Sequence, residues 1–266
     1  MAPTSVDKEG VWGKRTSTLD WCEENYVVTP YIAEFWNTIS NIVMIVPPAV
    51  CAYYFWKKGL ELRHILSGIS LLVVGVGSWC FHMTLLYEMQ LLDELPMIYG
   101  SCVFLYALNH HAHKPNHRDY TYVFALILTC IFVTIVYLYW KNPMFHESSY
   151  GFLVFYLLYE ALKACKNHPE IIPWAGVSLV IYASGFILWN IDNNFCSSLR
   201  HTRKNHLHPA VGPVTQLHAW WHLLTGTGTY LHILVSAYAR TLHLKRESSI
   251  KLLGGVWPYL HLGEKV

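Results

Sequence analysis

The chain has 266 residues, of which 53% are hydrophobic and only 14% charged, and its mean hydropathy is +0.27. Soluble domains carry about 25% charged residues, so the composition excludes an ordinary soluble globular protein and points to a polytopic membrane protein. A formal net charge of +2, with no basic stripe interleaved with aromatics, excludes nucleic acid as a partner.

Residues 1–34 form a polar arm with Asp7, Glu9, Asp20, Glu23, Glu24 and Glu34. No basic stretch leads into an apolar one here, so the arm is not a signal peptide. Its oxygen-rich run from Ser17 through Asp20, Glu23, Glu24 and Asn25 has two readings. One is a capping box, Ser17-x-x-Asp20, opening a short helix. The other is a Ca²⁺ loop, since Ca²⁺ takes 6–8 oxygen ligands. Spacing alone favours the cap. Seven apolar runs follow, at about 35–56, 65–86, 92–108, 120–140, 148–165, 173–191 and 214–238. Each approaches the ~20 residues that cross a bilayer as a helix. Pro47-Pro48 in the first run is tolerable as a kink. The pattern predicts an all-α fold, a seven-transmembrane-helix bundle over 35–238, between the arm and a basic tail at 239–266. It contains no repeat and no low-complexity linker.

Twelve of the nineteen lysines and arginines fall on the side of the bundle that holds the C-terminus, and seven on the side of the arm. That bias places the C-terminus in the cytosol and the N-terminus in the lumen or outside. In this topology Ser78 and His82 of the second run, Asp93 of the third, and His218 and His222 of the seventh reach one lumenal level. Cys22 and Cys196, the two cysteines in polar segments, also fall on the lumenal side, where disulfides persist. They are expected to pair and to tie the arm to the loop before the last run; two free thiols are the alternative. The other five cysteines lie in apolar runs and read as small buried hydrophobes.

Ionisable groups at membrane depth are costly and mark function. His218-Ala-Trp-Trp-His222 puts two imidazoles on one helical turn, half a metal site, and His82 can complete it. Three imidazoles on Zn²⁺ leave a fourth position for water, whose pKa falls from ~16 to ~7. Asp93 is the natural proton carrier to a leaving amine. Ser78, one turn before His82, can donate to a developing oxyanion, or only bond back to its own helix. The bland reading of any one of these histidines is a hydrogen bond to a neighbouring helix; the set together favours metal. The stretch 109–119, with His110, His111, His113 and His117, reads as a solvated cytosolic face, as do His201, His206 and His208 in the lumenal loop at 192–213. His232 is too deep to join the site. Asp192 either supports the site from behind or ends its helix.

Several stretches together resemble the alkaline ceramidases, and are most similar to the type 3, phytoceramidase-like branch. They are Thr18-Leu-Asp-Trp-Cys-Glu-Glu-Asn-Tyr26, Ala33-Glu-Phe-Trp-Asn-Thr38, Gly77-Ser-Trp-Cys-Phe-His-Met-Thr84, Leu91-Leu-Asp-Glu-Leu-Pro-Met97, Trp189-Asn-Ile-Asp-Asn193 and His218-Ala-Trp-Trp-His222. The resemblance implies a seven-helix hydrolase related in fold to adiponectin receptors, with His82, His218 and His222 on zinc and Ser78 and Asp93 at the reaction centre. It implies Ca²⁺ held by Asp20, Glu23, Asn25, Glu34 and the Trp21 carbonyl, which reverses the preference for the cap. It also implies ceramide drawn from the bilayer as substrate, and a place in endoplasmic reticulum and Golgi membranes. No obligate protein partner is evident. The rival class is a receptor or lipid-binding protein of the adiponectin-receptor type; a bis-histidine haem or ion-transport protein is a third.

Overall fold

A computed structural model of the protein describes residues 9–114, 117–208 and 210–263. Asp7 of the arm, and Lys8 and Lys265 of the charge count, lie outside the described residues. Helices α1 (Phe35–Ser40) and α2 (Ile42–Lys57) form the first run. Next come α3 (Leu62–Thr84), α4 (Tyr87–Asn109), α5 (Tyr120–Trp140), α6 (Pro143–Asn167) and α7 (Ile172–Asn194), a short α8 (Cys196–Asn205), and α9 (Leu217–His243).

The first run breaks at Asn41 and not at its prolines, which sit inside α2. The cause is the Asn37 carbonyl. It accepts from Ser40 Oγ, from Asn41 Nδ2 and from His222 Nδ1 of α9, so Asn41 N–H turns to Thr38 O instead. A carbonyl diverted from the i→i+4 ladder ends or bends a helix. A histidine of α9 is thus part of what shapes the α1–α2 junction.

Among the described residues, five helical stretches are long and apolar enough to cross a membrane: Phe35–Lys57, Leu62–Thr84, Tyr87–Ala112, Tyr120–Trp140 and Pro169–Asn194. Helices α6 and α9, with 25 and 27 residues, are long enough but carry more polar groups. Those groups point inward: His146 and Glu160 on α6, and His218, His222 and Arg240 on α9, are buried. Helix α5 does the reverse, exposing Phe124, Ile127, Leu128, Ile131, Phe132 and Ile135, as a lipid-facing helix does.

The fold is mostly helical, as expected, and the tail adds a hairpin to it. Strands β1 (Ser248–Leu253) and β2 (Trp257–Leu262) pair antiparallel, with Ile250 opposite Leu260. Gly254 and Gly255, both at positive φ, make the turn. The alternation of β2 buries Pro258, Leu260 and Leu262, and Tyr230 of α9 donates to Pro258 O at 3.1 Å. The hairpin therefore packs on α9, which runs five residues past the expected end at 238.

Glycines set how closely the helices approach. A Cβ on Gly75 of α3 would meet the Met44 backbone and side chain of α2, and one on Gly226 of α9 would meet Met44 and Val43. Met44 thus fills a notch between two glycines and draws α3 and α9 together around α2. Close packing of this kind through small residues is how membrane helices associate without a hydrophobic drive.

Candidate active site

His82 lies in the last turn of α3, seven residues beyond Gly75; His218 and His222 lie in the first two turns of α9, before Gly226. The Met44 notch brings both helices to one point. One ligand nitrogen from each of the three histidines lies within 4.8 Å of the other two, and all three residues are buried. The ring centroids stand 4.6–5.1 Å apart.

Each ring is held from the arm side. Nδ1 of His82 lies 2.5 Å from Glu34 Oε2. Nδ1 of His222 donates to Asn37 O at 3.0 Å and lies 2.9 Å from Ser40 Oγ. A carbonyl only accepts, so the His222 hydrogen sits on Nδ1 and the lone pair on Nε2. An imidazole oriented through its other nitrogen by a carboxylate or carbonyl is the usual supporting geometry of a metal ligand. His218 is clamped by Trp21, whose ring stacks on it at 3.9 Å and 22°. Its Nδ1 is buried with no hydrogen-bond partner among the described residues. An orphaned nitrogen beside two oriented imidazoles fits a bound zinc ion, since a buried polar atom without a partner is otherwise costly.

Gly77 explains how Ser78 and Asp93 meet. A Cβ there would overlap Leu92 O and press on Asp93 N, so α3 and α4 touch backbone to backbone at this level. Ser78, buried, stands beside the half-buried Asp93 carboxyl. Asp192 is neither idle nor a mere helix end. Its carboxylate, 0% exposed, accepts from Cys22 N of the arm at 3.3 Å, while Oδ1 is buried without a hydrogen-bond partner among the described residues, close to the start of α9.

The arm forms no helix over 17–24, which overturns the capping-box reading; Ser17 Oγ donates to Leu19 O instead. Asp20, Glu23, Asn25 and Glu34 are all buried. Asn25 Nδ2 donates to Asp20 Oδ1, and Glu23 accepts from Trp36 N and Asn37 N at 2.8 Å. The oxygens of Glu34 accept from Trp21 N and Asn37 Nδ2. Arg200 donates to the carbonyls of Trp21, Cys22 and Glu23. Burial first, and then the neighbouring Glu34, push the Glu23 carboxyl up to about 8; burial and then Asp20 raise Glu34 well above the usual range. Acids crowded until they repel one another fit a divalent cation, and each carboxylate oxygen keeps a further lone pair for it. Cys22 and Cys196 are joined by a disulfide across 174 residues, as expected.

Helix positions hid several contributors. Ser40 and Asn37 act on His222 from an element far away in sequence, whereas Asp192 already stood out at the end of its apolar run. His201, His206 and His208 are exposed as expected, and His232 lines a separate cavity of about 110 Å³ with Ser178 and Tyr182. His110 and His111, read as part of a solvated face, are buried.

The sequence model of the Ceramidase family matches residues 13–262. The chain is 52% identical over 262 residues to Alkaline ceramidase 3 of Mus musculus, covering 97% of this chain and 96% of that protein. It is 37% identical over 253 residues to an alkaline ceramidase of Saccharomyces cerevisiae, covering 88% of this chain and 80% of that one. An alkaline ceramidase of Arabidopsis thaliana is 26% identical over 259 residues, covering 94% of each.

Proposed function

The chain belongs to the ceramidase family, and we propose that it hydrolyses the N-acyl bond of ceramide, dihydroceramide and phytoceramide at membrane depth, with zinc at the imidazole triad and stimulation by calcium in the arm. The products are a sphingoid base and a free fatty acid. The observation that carries this reading is the convergence of three oriented imidazoles at the level of the Ser78–Asp93 pair. His82, His218 and His222 would hold the zinc, which when bound supplies a Lewis acid and brings the pKa of a water from ~16 to ~7.

The chain's own residues do the rest. Glu34, Asn37 O and Ser40 hold the rings of His82 and His222, and Trp21 holds that of His218. Ser78 donates a hydrogen bond to the amide carbonyl oxygen as negative charge grows there. Asp93 takes the proton of the attacking water and delivers it to the departing sphingoid nitrogen. Asp20, Glu23, Asn25, Glu34 and the Trp21 carbonyl would hold the calcium, which orders the arm over the lumenal mouth.

In this reading α6 and α9 cross the bilayer with the five more apolar stretches, because their polar side chains face the bundle, giving seven spans. The N-terminus is lumenal and the C-terminus cytosolic, in endoplasmic reticulum and Golgi membranes. The Cys22–Cys196 disulfide and the lysine and arginine bias support that orientation. The receptor reading finds no support in relatives named as ceramidases.

Mass-spectrometric detection of sphingoid base released from ceramide by the purified protein tests the proposal. His82→Ala and His218→Ala should lose both bound zinc and product, and Asp93→Asn should lower kcat by about 10²–10⁴ with zinc retained. Undiminished hydrolysis in these variants would refute the assignment.

A further inference from the structure

The second histidine cluster lies at the other end of the bundle. Asp93 opens the working part of α4, and His110 follows the end of that helix seventeen residues later, about 25 Å along its axis. His110 begins a 3₁₀ turn (His110–Ala112); His113 and His117 follow in the connection to α5. The three imidazoles gather face to face, His110 on His113 at 4.5 Å and 27°, and His113 on His117 at 4.8 Å and 16°. One ligand nitrogen from each lies within 4.8 Å of the others.

We propose that His110, His113 and His117, with Asp119, form a second metal site, for a divalent transition-metal ion such as Zn²⁺, that pins the α4–α5 connection to the end of the bundle opposite the reaction centre. Four observations carry it. First, Nδ1 of His110 faces the Tyr106 carbonyl at 3.2 Å, which places the hydrogen there and the lone pair on Nε2. Second, that Nε2 is buried with no hydrogen-bond partner among the described residues, in a residue only 1% exposed, and His113 Nδ1 is likewise unpartnered.

Third, Asp119 Oδ2 stands 3.8 Å from His110 Nε2. That is too long for a hydrogen bond, and near the about 3.3 Å that separates two ligand atoms on one tetrahedral zinc. Asp119 Oδ1 is occupied in capping α5 through Tyr122 N, so Oδ2 is the oxygen left over. Fourth, the frame is already built. Arg240 of α9 donates to the carbonyls of His111 and His113 at 3.0 and 2.6 Å, and Arg63 of α3 to that of His110 at 2.9 Å. The turn returns through His117 N–H to Lys114 O. Both guanidinium groups also bind Glu61, which spends positive charge that would otherwise oppose a cation. Three imidazoles and one carboxylate make a closed, four-ligand set, the pattern of a structural rather than a catalytic zinc.

The test is zinc content and zinc titration of the full chain in detergent, with hydrolysis followed in parallel. Wild type should retain two equivalents of Zn²⁺ and His117→Asn one, with weakening of at least about tenfold at the lost site and hydrolysis unchanged. His117 is exposed and its ring lies beside those of His110 and His113, outside any helix, so the variant should keep the wild-type helical circular dichroism. His82→Ala should also leave one equivalent, and adding His117→Asn to it should leave none. Two equivalents surviving in His117→Asn, or one equivalent in wild type that His117→Asn leaves in place, would overturn the second site. Failure of the catalytic assignment reads out separately, as zinc content that His82→Ala does not change.

Discussion

Glu61 lies between two guanidinium groups, Arg63 from its own turn and Arg240 from α9, the latter at 2.5 Å. Burial alone would raise its carboxyl, but the Arg240 hydrogen bonds and the Arg63 charge outweigh it and hold Glu61 below the usual value. A pKa lower in the folded than in the unfolded chain gives stability that is present above the unfolded value, ~4.3, and is lost as pH falls through the folded one. Thermal scans of the purified protein should therefore show melting drop on acidification below about pH 5, and Glu61→Gln should remove much of that dependence. At neutral pH the same variant should cost between the ~1 kcal/mol of a surface pair and the ~3–5 kcal/mol of a buried one, since it strands the buried Arg240. Around the reaction centre, Glu34→Gln and Ser40→Ala should each weaken zinc binding about 10–100-fold, measured by competition with a chelating dye. The i, i+4 histidines were legible in the sequence because one helical turn forces them onto one face. Their supports were not, because Ser40 and Asn37 meet His222 across more than 180 residues and the contact to Asn37 is made by its backbone, which every residue carries.

Helix α3 owes its function to what it lacks. Gly77 allows the backbone of Asp93 against it, so Gly77→Ala should overpack the crossing by about 1–3 kcal/mol and displace the proton carrier from Ser78. A displacement near 1 Å can cost ~10²-fold in rate, so activity should fall further than melting does. Gly151, within α6, has nothing within 4 Å of its would-be Cβ. Gly151→Ala should therefore be neutral or stabilising by up to about 1 kcal/mol, with activity intact. Equal losses in the two variants, in a paired melting and turnover assay, would contradict the packing account. Helix placement itself was readable from hydropathy, to the residue for α5 and within a few residues for α7. The Asn41 break was not, since it arises from a tertiary hydrogen bond and not from the prolines that sequence suggests. The hairpin was also missed: β1 is half basic or polar, β2 is only six residues long, and their buried side appears only once α9 supplies a surface.

The arm is integrated with the bundle rather than draped over it. The Cys22–Cys196 bond, the Arg200 contacts and the Asp192 carboxylate anchor it to α7 and α8, and Gln90 of α4 holds Thr18 at 2.8 Å. Cys22→Ser with Cys196→Ser should lower stability by about 2–5 kcal/mol and expose the arm to limited proteolysis. A melting temperature and cleavage pattern matching wild type would count against this anchoring. At this scale the joining of the two cysteines was legible, because they alone lie in polar segments, whereas the bond from Cys22 N to Asp192 was not, because it is made by backbone across 170 residues.

Glu34 touches both metal-fitted regions with one carboxylate, Oε1 toward Trp21 of the arm and Oε2 toward His82. Any cation that pulls on the first oxygen changes how firmly the second steadies the imidazole, and affinities coupled through a shared group must change by the same factor in both directions. Stripping calcium should thus make zinc easier to lose, and stripping zinc should make calcium easier to lose, so a depletion experiment aimed at one ion measures the other as well.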